Sequence, residues 1–134
     1  MASTTVEYQR LNGTAAAIGR SGTHCVIADR PLGTAGGMGL GFNGGELLAL
    51  ALGGCLSNDI QYVAHDMNLT VDVLRLSVTV HFSGDPVLAT GATMIVACRL
   101  ADGSDPSELI DRATARSTIA NSLKGSMLIE INRA

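Results

Sequence analysis

The stretch that decides the fold lies between residues 46 and 56 and reads Glu46-Leu47-Leu48-Ala49-Leu50-Ala51-Leu52-Gly53-Gly54-Cys55-Leu56. It lies within a predicted helix from Asn43 to Met67. Asn43 can cap the first turn together with Glu46 three residues later, as in a capping box. Asn68 can end the helix, because asparagine tolerates the left-handed conformation of a helix C-terminus.

The segment from Leu47 to Leu52 is apolar on every side of this helix, which predicts burial all round rather than against one core face. The apolar run is too short to span a bilayer. A single small domain has few layers with which to cover such a helix. A second copy of the chain is the simplest source of cover, so we expect a homodimer.

The flanking sequence predicts short strands, a long hairpin and a second helix. Turn signals such as Asn12-Gly13 separate three N-terminal strands that form a meander, at Val6 to Leu11, Thr14 to Gly19 and Thr23 to Asp29. Alternating residues predict a hairpin of strands from Val71 to Phe82 and Val87 to Leu100, with a bulge near Thr90 and Gly91.

The second predicted helix runs from Pro106 to Leu123, with Asp105 as its cap and Gly125 closing it. Its inward stripe is Leu109, Ala113, Ser117 and Ala120. A final strand follows from Met127 to Ile131. The element order indicates an α+β fold of one domain over residues 1–134, with antiparallel sheets around two helices.

Composition and charge exclude several classes of protein. The 134 residues are 46% hydrophobic and 16% charged, which is typical of one globular domain. A net charge of -3 provides no basic patch for nucleic acid. The polar N-terminus lacks the features of a signal peptide, so we expect a cytoplasmic protein without a membrane segment.

Three cysteines, Cys25, Cys55 and Cys98, are odd in number and show no CxxC or Cys/His ligand spacing. This pattern argues against both a disulfide framework and a zinc site, and we expect no metal and no cofactor. Cys25 and Cys98 lie in strand patterns and are predicted to pack in the core. Either could form a disulfide with Cys55 if the Cα atoms came within about 4.4–6.8 Å.

A glycine cluster forms a formal GxGxxG match at Gly39, Gly41 and Gly44, with Asp59 or Asp66 near the ribose-binding distance. A dinucleotide fold requires a strand leading directly into the first glycine and further βα units, and neither is predicted here. The glycines are better explained as a flexible entry into the buried helix.

Cys55 alone is ambiguous, because a lone cysteine in an apolar helix is usually a small hydrophobic residue. It lies far beyond the first turn, so the helix dipole cannot activate its thiol. Asp59, one turn further on, would disfavour a thiolate if it were close. Asp59 and Asp66 otherwise resemble the polar side of the helix end, and an activating cation would have to come from elsewhere.

The segment from Glu46 to Leu56 resembles the first-cysteine helix of the OsmC/Ohr family, in which a Glu-Leu-Leu segment leads to Gly-Gly-Cys. The preceding Gly36-Gly37, the hairpin, the second helix and the closing strand follow in the family's order. The strand from His24 to Asp29 resembles that of the broader OsmC-like branch. The resemblance implies the OsmC-like fold as an intertwined homodimer.

In that family one thiol attacks the peroxide and a second resolves the sulfenic acid as a disulfide. The resemblance implies that Cys55 is the attacking residue. Ser117 occupies the resolving position and cannot form a disulfide. The Ohr branch also uses a Glu and an Arg to activate the thiolate. The nearest matches are Glu46, which lies one position late and is better explained as a capping residue, and Arg20, which is better explained as a solvated turn residue.

Three functions remain open at this point. The first is a thiol peroxidase in which Cys55 reduces an organic hydroperoxide in an apolar pocket at the dimer interface and an external dithiol recycles it. The second is a family member without peroxidase activity that binds a small apolar or thiol-reactive ligand there. The third is a structural or partner-binding dimer.

Overall fold

The computed structural model describes all 134 residues and divides into two units, Met1–Leu47 and Leu48–Ala134, which are described separately. The N-terminal unit contains an antiparallel sheet in the order β1-β2-β3, as the predicted meander requires. Its strands are β1 (Glu7–Arg10), β2 (Ala17–Ser21) and β3 (His24–Ala28). Gly13 and Gly22 turn the chain between them with positive φ angles of 77° and 59°.

Asp29 organises the glycine-rich segment that follows β3. Its carboxylate, 6% exposed, accepts hydrogen bonds from the backbone amides of Arg30, Met38 and Leu40 at 2.8–3.1 Å. These hydrogen bonds, the one from Leu40 above all, hold the pKa of Asp29 below its ordinary value. The segment is therefore a fixed loop rather than the flexible entry that we predicted.

Gly41 lies against β3 and has no room for a side chain. A Cβ atom there would lie 2.0 Å from the Ile27 carbonyl oxygen. The close approach lets Phe42 donate to the Ile27 carbonyl and accept from the Asp29 amide, at 2.9 and 3.0 Å. Backbone packing therefore explains this glycine of the GxGxxG match, without any bound phosphate.

The long helix α1 runs from Gly44 to Asp66 and begins with the predicted capping box. The Glu46 amide donates to the Asn43 side chain at 2.9 Å, and the Asn43 amide donates to the Glu46 carboxylate at 3.2 Å. Asn68 lies just after the helix with a positive φ of 53°. The predicted start and end of this helix are confirmed.

Burial of α1 on every side is not found within one chain. Leu52, Leu56 and Ile60 are fully buried, whereas Leu50 is 50% exposed. Ala51 and Gly54 are also exposed. The prediction was wrong for the isolated chain because the helices and sheet of the Leu48–Ala134 unit cover only one side of the helix.

The second sheet, in the order β4-β5-β6, lies in the Leu48–Ala134 unit. Its strands are β4 (Val71–Ser83), β5 (Leu88–Leu100) and β6 (Leu128–Arg133). The β4–β5 hairpin shifts register where His81 faces Gly91 and Phe82 faces Ala89, so the predicted bulge falls on Thr90. β6 pairs with β5 in parallel, which corrects the expected all-antiparallel sheet, because the helices after β5 provide a crossover connection.

The predicted second helix is in fact two, α2 (Ser107–Arg116) and α3 (Thr118–Leu123), separated at Ser117. Ser117 has an extended backbone with φ -61° and ψ 108°, which interrupts the helical hydrogen bonds without a proline. The predicted inward stripe is confirmed, with all four residues at most 1% exposed. Pro106, and not the predicted Asp105, is the N-cap residue of α2, and no side chain caps this helix, because the helix begins one residue later than predicted. The Asp105 carboxylate accepts from the Ser107 amide at 3.0 Å from the position before the cap.

The core of the Leu48–Ala134 unit lies between α1, α2 and the second sheet. It includes Leu52 and Leu56 of α1, Met94 and Val96 of β5, and Leu109 of α2, each at most 1% exposed. By length and composition alone α1 could cross a membrane. Its buried face instead makes it a core helix of a folded α+β domain.

Candidate functional site

Cys55 lies on α1 with its thiol half-buried, between a carboxylate and a hydroxyl. Its Sγ donates a hydrogen bond to Asp59 Oδ2 at 3.5 Å and accepts one from Ser117 Oγ at 3.7 Å. The first contact joins two residues one helical turn apart, and the second joins α1 to the break between α2 and α3. The fold therefore brings the predicted attacking and resolving positions into direct contact.

Asp59 was assigned to the polar side of the helix end, and this prediction was wrong. The residue is 8% exposed, between the buried residues Leu56 and Ile60. A buried carboxylate is costly unless hydrogen bonds or an opposite charge compensate it. Here its partners are the Cys55 thiol and an arginine.

Arg116 supplies that charge from the last residue of α2. Its Nε lies 3.4 Å from Asp59 Oδ1, and its Nη1 lies 3.8 Å from Asp66 Oδ2. The guanidinium carbon lies 5.6 Å from the centre of the Tyr62 ring, within reach of a cation–π interaction. The Arg116 side chain is 48% exposed, so solvent screens these interactions in part.

The two glycines before Cys55 have different surroundings. A Cβ atom on Gly53 would lie 3.0 Å from Val78 Cγ2, so this glycine allows α1 to pack closely on β4. A Cβ atom on Gly54 would meet no atom within 4 Å. The chain is therefore open beside the cysteine on the exposed side of α1.

Glu46 and Arg20, the predicted activating residues, make other interactions here. Glu46 is exposed and forms the capping box with Asn43. Arg20 is exposed on β2, where it pairs across the sheet with Glu7 and Cys25. Within the Leu48–Ala134 unit the partners of the Cys55 thiol are Asp59 and Ser117.

The other two cysteines are unpaired. Cys25 is exposed on β3, which corrects its predicted place in the core. It lies near the edge of a three-stranded sheet that leaves this side chain uncovered. Cys98 packs against the core as predicted, and burial raises the pKa of its thiol.

A cleft of about 600 Å³ lies beside Arg116 on the outer side of α1. Its lining consists of polar residues, Asn58, Gln61, Tyr62, His65, Asp66 and Arg116. Cys55 is not among them, so this cleft is not the apolar pocket predicted for a substrate. No group of three or more His, Cys, Asp or Glu side chains is arranged to hold a metal ion.

Sequence reasoning missed the parts that Asp59 and Arg116 play. The spacing of four residues between Cys55 and Asp59 was a usable signal, because such residues face each other on a helix. The signal for Arg116 was its place next to Ser117. Pairing it with Asp59 required knowledge of how α2 packs on α1.

The family model of OsmC-like proteins matches residues 36–132, which include α1, the second sheet and both shorter helices. The chain belongs to the family of OsmC-like proteins. No curated protein matches the sequence. The motif from Glu46 to Leu56, with Cys55 near its end, lies within the matched region of this OsmC-like protein.

Solved structures show the same fold over nearly the whole chain. An OsmC-like protein from Mycoplasma pneumoniae is 22% identical with a TM-score of 0.81, and the match covers 99% of this chain and 96% of the other. The organic hydroperoxide resistance protein OhrB of Bacillus subtilis is 17% identical with a TM-score of 0.70, covering 98% of each chain. An organic hydroperoxide resistance protein OsmC from Legionella pneumophila is 15% identical, with a TM-score of 0.69 and coverage of 100% and 98%. The OsmC-like α+β fold is thereby shown.

Proposed function

We propose that this OsmC-like protein reduces organic hydroperoxides through Cys55, with an external thiol as reductant. The observation that carries the proposal is the contact of the Cys55 thiol with both Asp59 and Ser117. A thiol with a proton acceptor on one side and a hydroxyl donor on the other has the partners that a reacting sulfur needs. The names of the Bacillus and Legionella relatives support the choice of organic hydroperoxide as substrate.

The proposed cycle has two stages. The Cys55 sulfur attacks the terminal peroxide oxygen, the O–O bond breaks, and the products are a sulfenic acid at Cys55 and an alcohol. Ser117 cannot form a disulfide, so an external thiol condenses with the sulfenic acid and releases water. A second thiol then displaces Cys55 from the mixed disulfide and restores its reduced form.

We propose that a second copy of the chain covers the exposed side of α1. Leu50, Ala51 and Gly54 form an exposed apolar strip beside Cys55, and a homodimer would cover it. The molar mass in solution tests this, with Leu50→Asp expected to give a monomer. Val87→Asp, at an exposed apolar residue near the hairpin turn, is the matched control, since Val87 is 68% exposed against 50% for Leu50. A monomeric wild type would contradict the homodimer.

Glu46 and Arg20 stay predictions as activating residues, and the apolar substrate pocket stays part of the same proposal. Glu46→Gln and Arg20→Gln would slow the oxidation of Cys55 if they act on it. A capping role for Glu46 would instead lower only the stability, because a cap contributes roughly 1 kcal/mol. Cytoplasmic location is also proposed, because its three cysteines are unpaired and thiols stay reduced there; fractionation of cells would test it.

The decisive experiment measures the intact mass after brief exposure to cumene hydroperoxide with a sulfenic-acid trap present. We expect one rapid adduct in the wild type and none in Cys55→Ser. Cys98→Ser is the matched control, because its half-buried thiol lies on the second sheet and should leave the adduct unchanged. An adduct no faster than that of free cysteine would rule out the peroxidase.

One observation favours a second function, binding of a small apolar or thiol-reactive ligand without turnover. This observation is the serine at the resolving position, which cannot form the disulfide of a two-thiol cycle with Cys55. Under that function the trap experiment gives no adduct, while an apolar ligand raises the melting temperature increasingly as its concentration exceeds its Kd. Absence of both effects would leave a structural or partner-binding dimer.

A further inference from the structure

Asp59 occupies a position where the fold would be expected to place an apolar residue. Its side chain is 11% exposed and lies on the face of α1 that contributes Leu56 and Ile60 to the core. Replacement by a hydrophobic residue of similar size would avoid the cost of desolvating a carboxylate. The contacts of this carboxylate therefore indicate what it does.

The two oxygens of Asp59 have different partners, and one of them is the reacting sulfur. One oxygen of Asp59 accepts the Cys55 thiol at 3.5 Å, and the other faces Arg116 Nε at 3.4 Å. The thiol proton therefore lies on a hydrogen bond between the sulfur and a carboxylate oxygen. The proton can move between sulfur and oxygen along the existing hydrogen bond.

We propose that Asp59 is the catalytic acid–base residue of Cys55. The inference rests on the proposed reduction of hydroperoxides and adds the group that handles its proton. Asp59 takes the thiol proton as the sulfur forms a bond to the terminal peroxide oxygen. As the O–O bond breaks, the protonated carboxyl returns this proton to the departing alkoxide, which leaves as an alcohol.

The balance of the step is complete within these groups. Sulfur loses two electrons and becomes a sulfenic acid, the peroxide bond gains them, and Asp59 ends as the carboxylate with which it began. Ser117, fully buried, donates its hydroxyl to the sulfur and stabilises negative charge there. Arg116 acts as a positioning residue, because it contacts the Asp59 carboxylate and has no hydrogen bond to the sulfur.

The test compares two reactions of Cys55 in the full-length protein. Oxidation by cumene hydroperoxide needs a proton for the leaving alkoxide, whereas alkylation by iodoacetamide releases iodide and needs none. We expect Asp59→Asn to slow sulfenic-acid formation by about 100-fold, the lower end of the usual effect of a general acid–base group. The same variant should lose much less of its alkylation rate, because alkylation also requires removal of the thiol proton but needs no acid for its leaving group.

Two further variants make the comparison specific. Asp59→Glu keeps a carboxyl group and should restore part of the oxidation rate. Asp111→Asn removes a carboxylate from the exposed side of α2 and should change neither rate. A melting temperature close to that of the wild type would show that each variant is folded.

Each outcome either supports or overturns the acid–base role of Asp59. A loss of oxidation rate in Asp59→Asn that is much larger than its loss of alkylation rate supports the acid–base role. Equal oxidation in wild type and Asp59→Asn overturns it while the proposed peroxidase stands, and so does a parallel loss of both reactions, which indicates a structural role. A wild type that does not react with the hydroperoxide overturns both proposals together.

Discussion

Two buried aspartates, Asp29 and Asp59, are satisfied in opposite ways. Asp29 accepts hydrogen bonds from three backbone amides and forms an ion pair with Arg30 at 3.2 Å, and all of these partners lie within one loop. Asp59 has no backbone donor and instead contacts a thiol and a partly exposed guanidinium. The difference separates a carboxylate that fixes the chain from one placed beside a reactive atom.

The chemistry of the hydrogen-bond partners explains the difference between these two carboxylates. Backbone amides cannot lose their protons at ordinary pH, so a carboxylate bound to them has a structural role. A thiol can lose its proton and an exposed arginine side chain can change its conformation, so the surroundings of Asp59 can change during a reaction. The predictions below test this division, beginning with the largest expected effect.

Ser117→Cys should change the oxidation product completely. A second sulfur at the place of Ser117 Oγ, 3.7 Å from Cys55 Sγ, can close a disulfide after a small adjustment. The hydroperoxide should then produce an oxidised protein that has lost two hydrogen atoms and no longer reacts with the trap. Intact mass spectrometry and a non-reducing gel measure this, and the disulfide should lie within one chain.

Thr118→Cys is the matched control for this disulfide, because residue 118 is exposed at the start of α3. It should give the trapped sulfenic acid of the wild type. Equal disulfide formation in both variants would mean that the contact between Cys55 and residue 117 is not what directs the pairing.

Asp29→Asn should lower the melting temperature by several degrees at neutral pH. An asparagine presents an amide group to donors that the carboxylate now accepts, so at least one buried amide would lose its partner. Asp102→Asn is the matched control, since Asp102 also accepts an amide, that of Ser104, but in an exposed turn. A loss no larger than that of the control would contradict the structural role of Asp29.

The pH dependence of this difference has a definite sign. The folded-state pKa of Asp29 lies below the ordinary 3.8, mainly because of the Leu40 amide. The stability it contributes is therefore fully present above that ordinary value and is lost as pH falls through the folded pKa. The gap in melting temperature between wild type and Asp29→Asn should shrink below about pH 4, and a constant gap would contradict the assignment.

The sequence predicted the parts of this structure that depend on local signals. The capping box at Asn43, the bulge at Thr90 and the inward stripe of α2 and α3 follow from spacing and residue type alone. The break at Ser117 and the parallel pairing of β6 could not be predicted in this way. Both depend on how α2 and α3 pack against α1 and return the chain to the sheet.

The same distinction between local sequence signals and tertiary packing applies to the candidate site. Cys55 and the position of Ser117 were predicted from the resemblance to the OsmC/Ohr family, and the fold brings them together. Asp59 was predicted to lie on the polar, solvent-facing side of the helix, because aspartate side chains are usually exposed. Its burial follows from the approach of Arg116, a residue 57 positions later in the chain, and no local pattern records that contact.

Arg116→Gln tests the smallest expected effect, the support that Arg116 gives to Asp59. The guanidinium is 48% exposed, and ion pairs of this kind contribute about 0.2–1 kcal/mol, so the expected loss is at most about fivefold. Without the arginine the Asp59 carboxylate loses the contact that positions it beside the thiol, so oxidation and alkylation of Cys55 should both slow to a similar extent. This equal change differs from the unequal losses expected for Asp59→Asn, and high salt should reduce the difference from wild type. Arg112→Gln, at an exposed arginine one turn earlier on α2 that pairs with Glu108, is the matched control. If Arg116→Gln slowed oxidation as severely as Asp59→Asn, the arginine would have to contact the reacting atoms itself, and the division between a catalytic aspartate and a positioning arginine would be wrong.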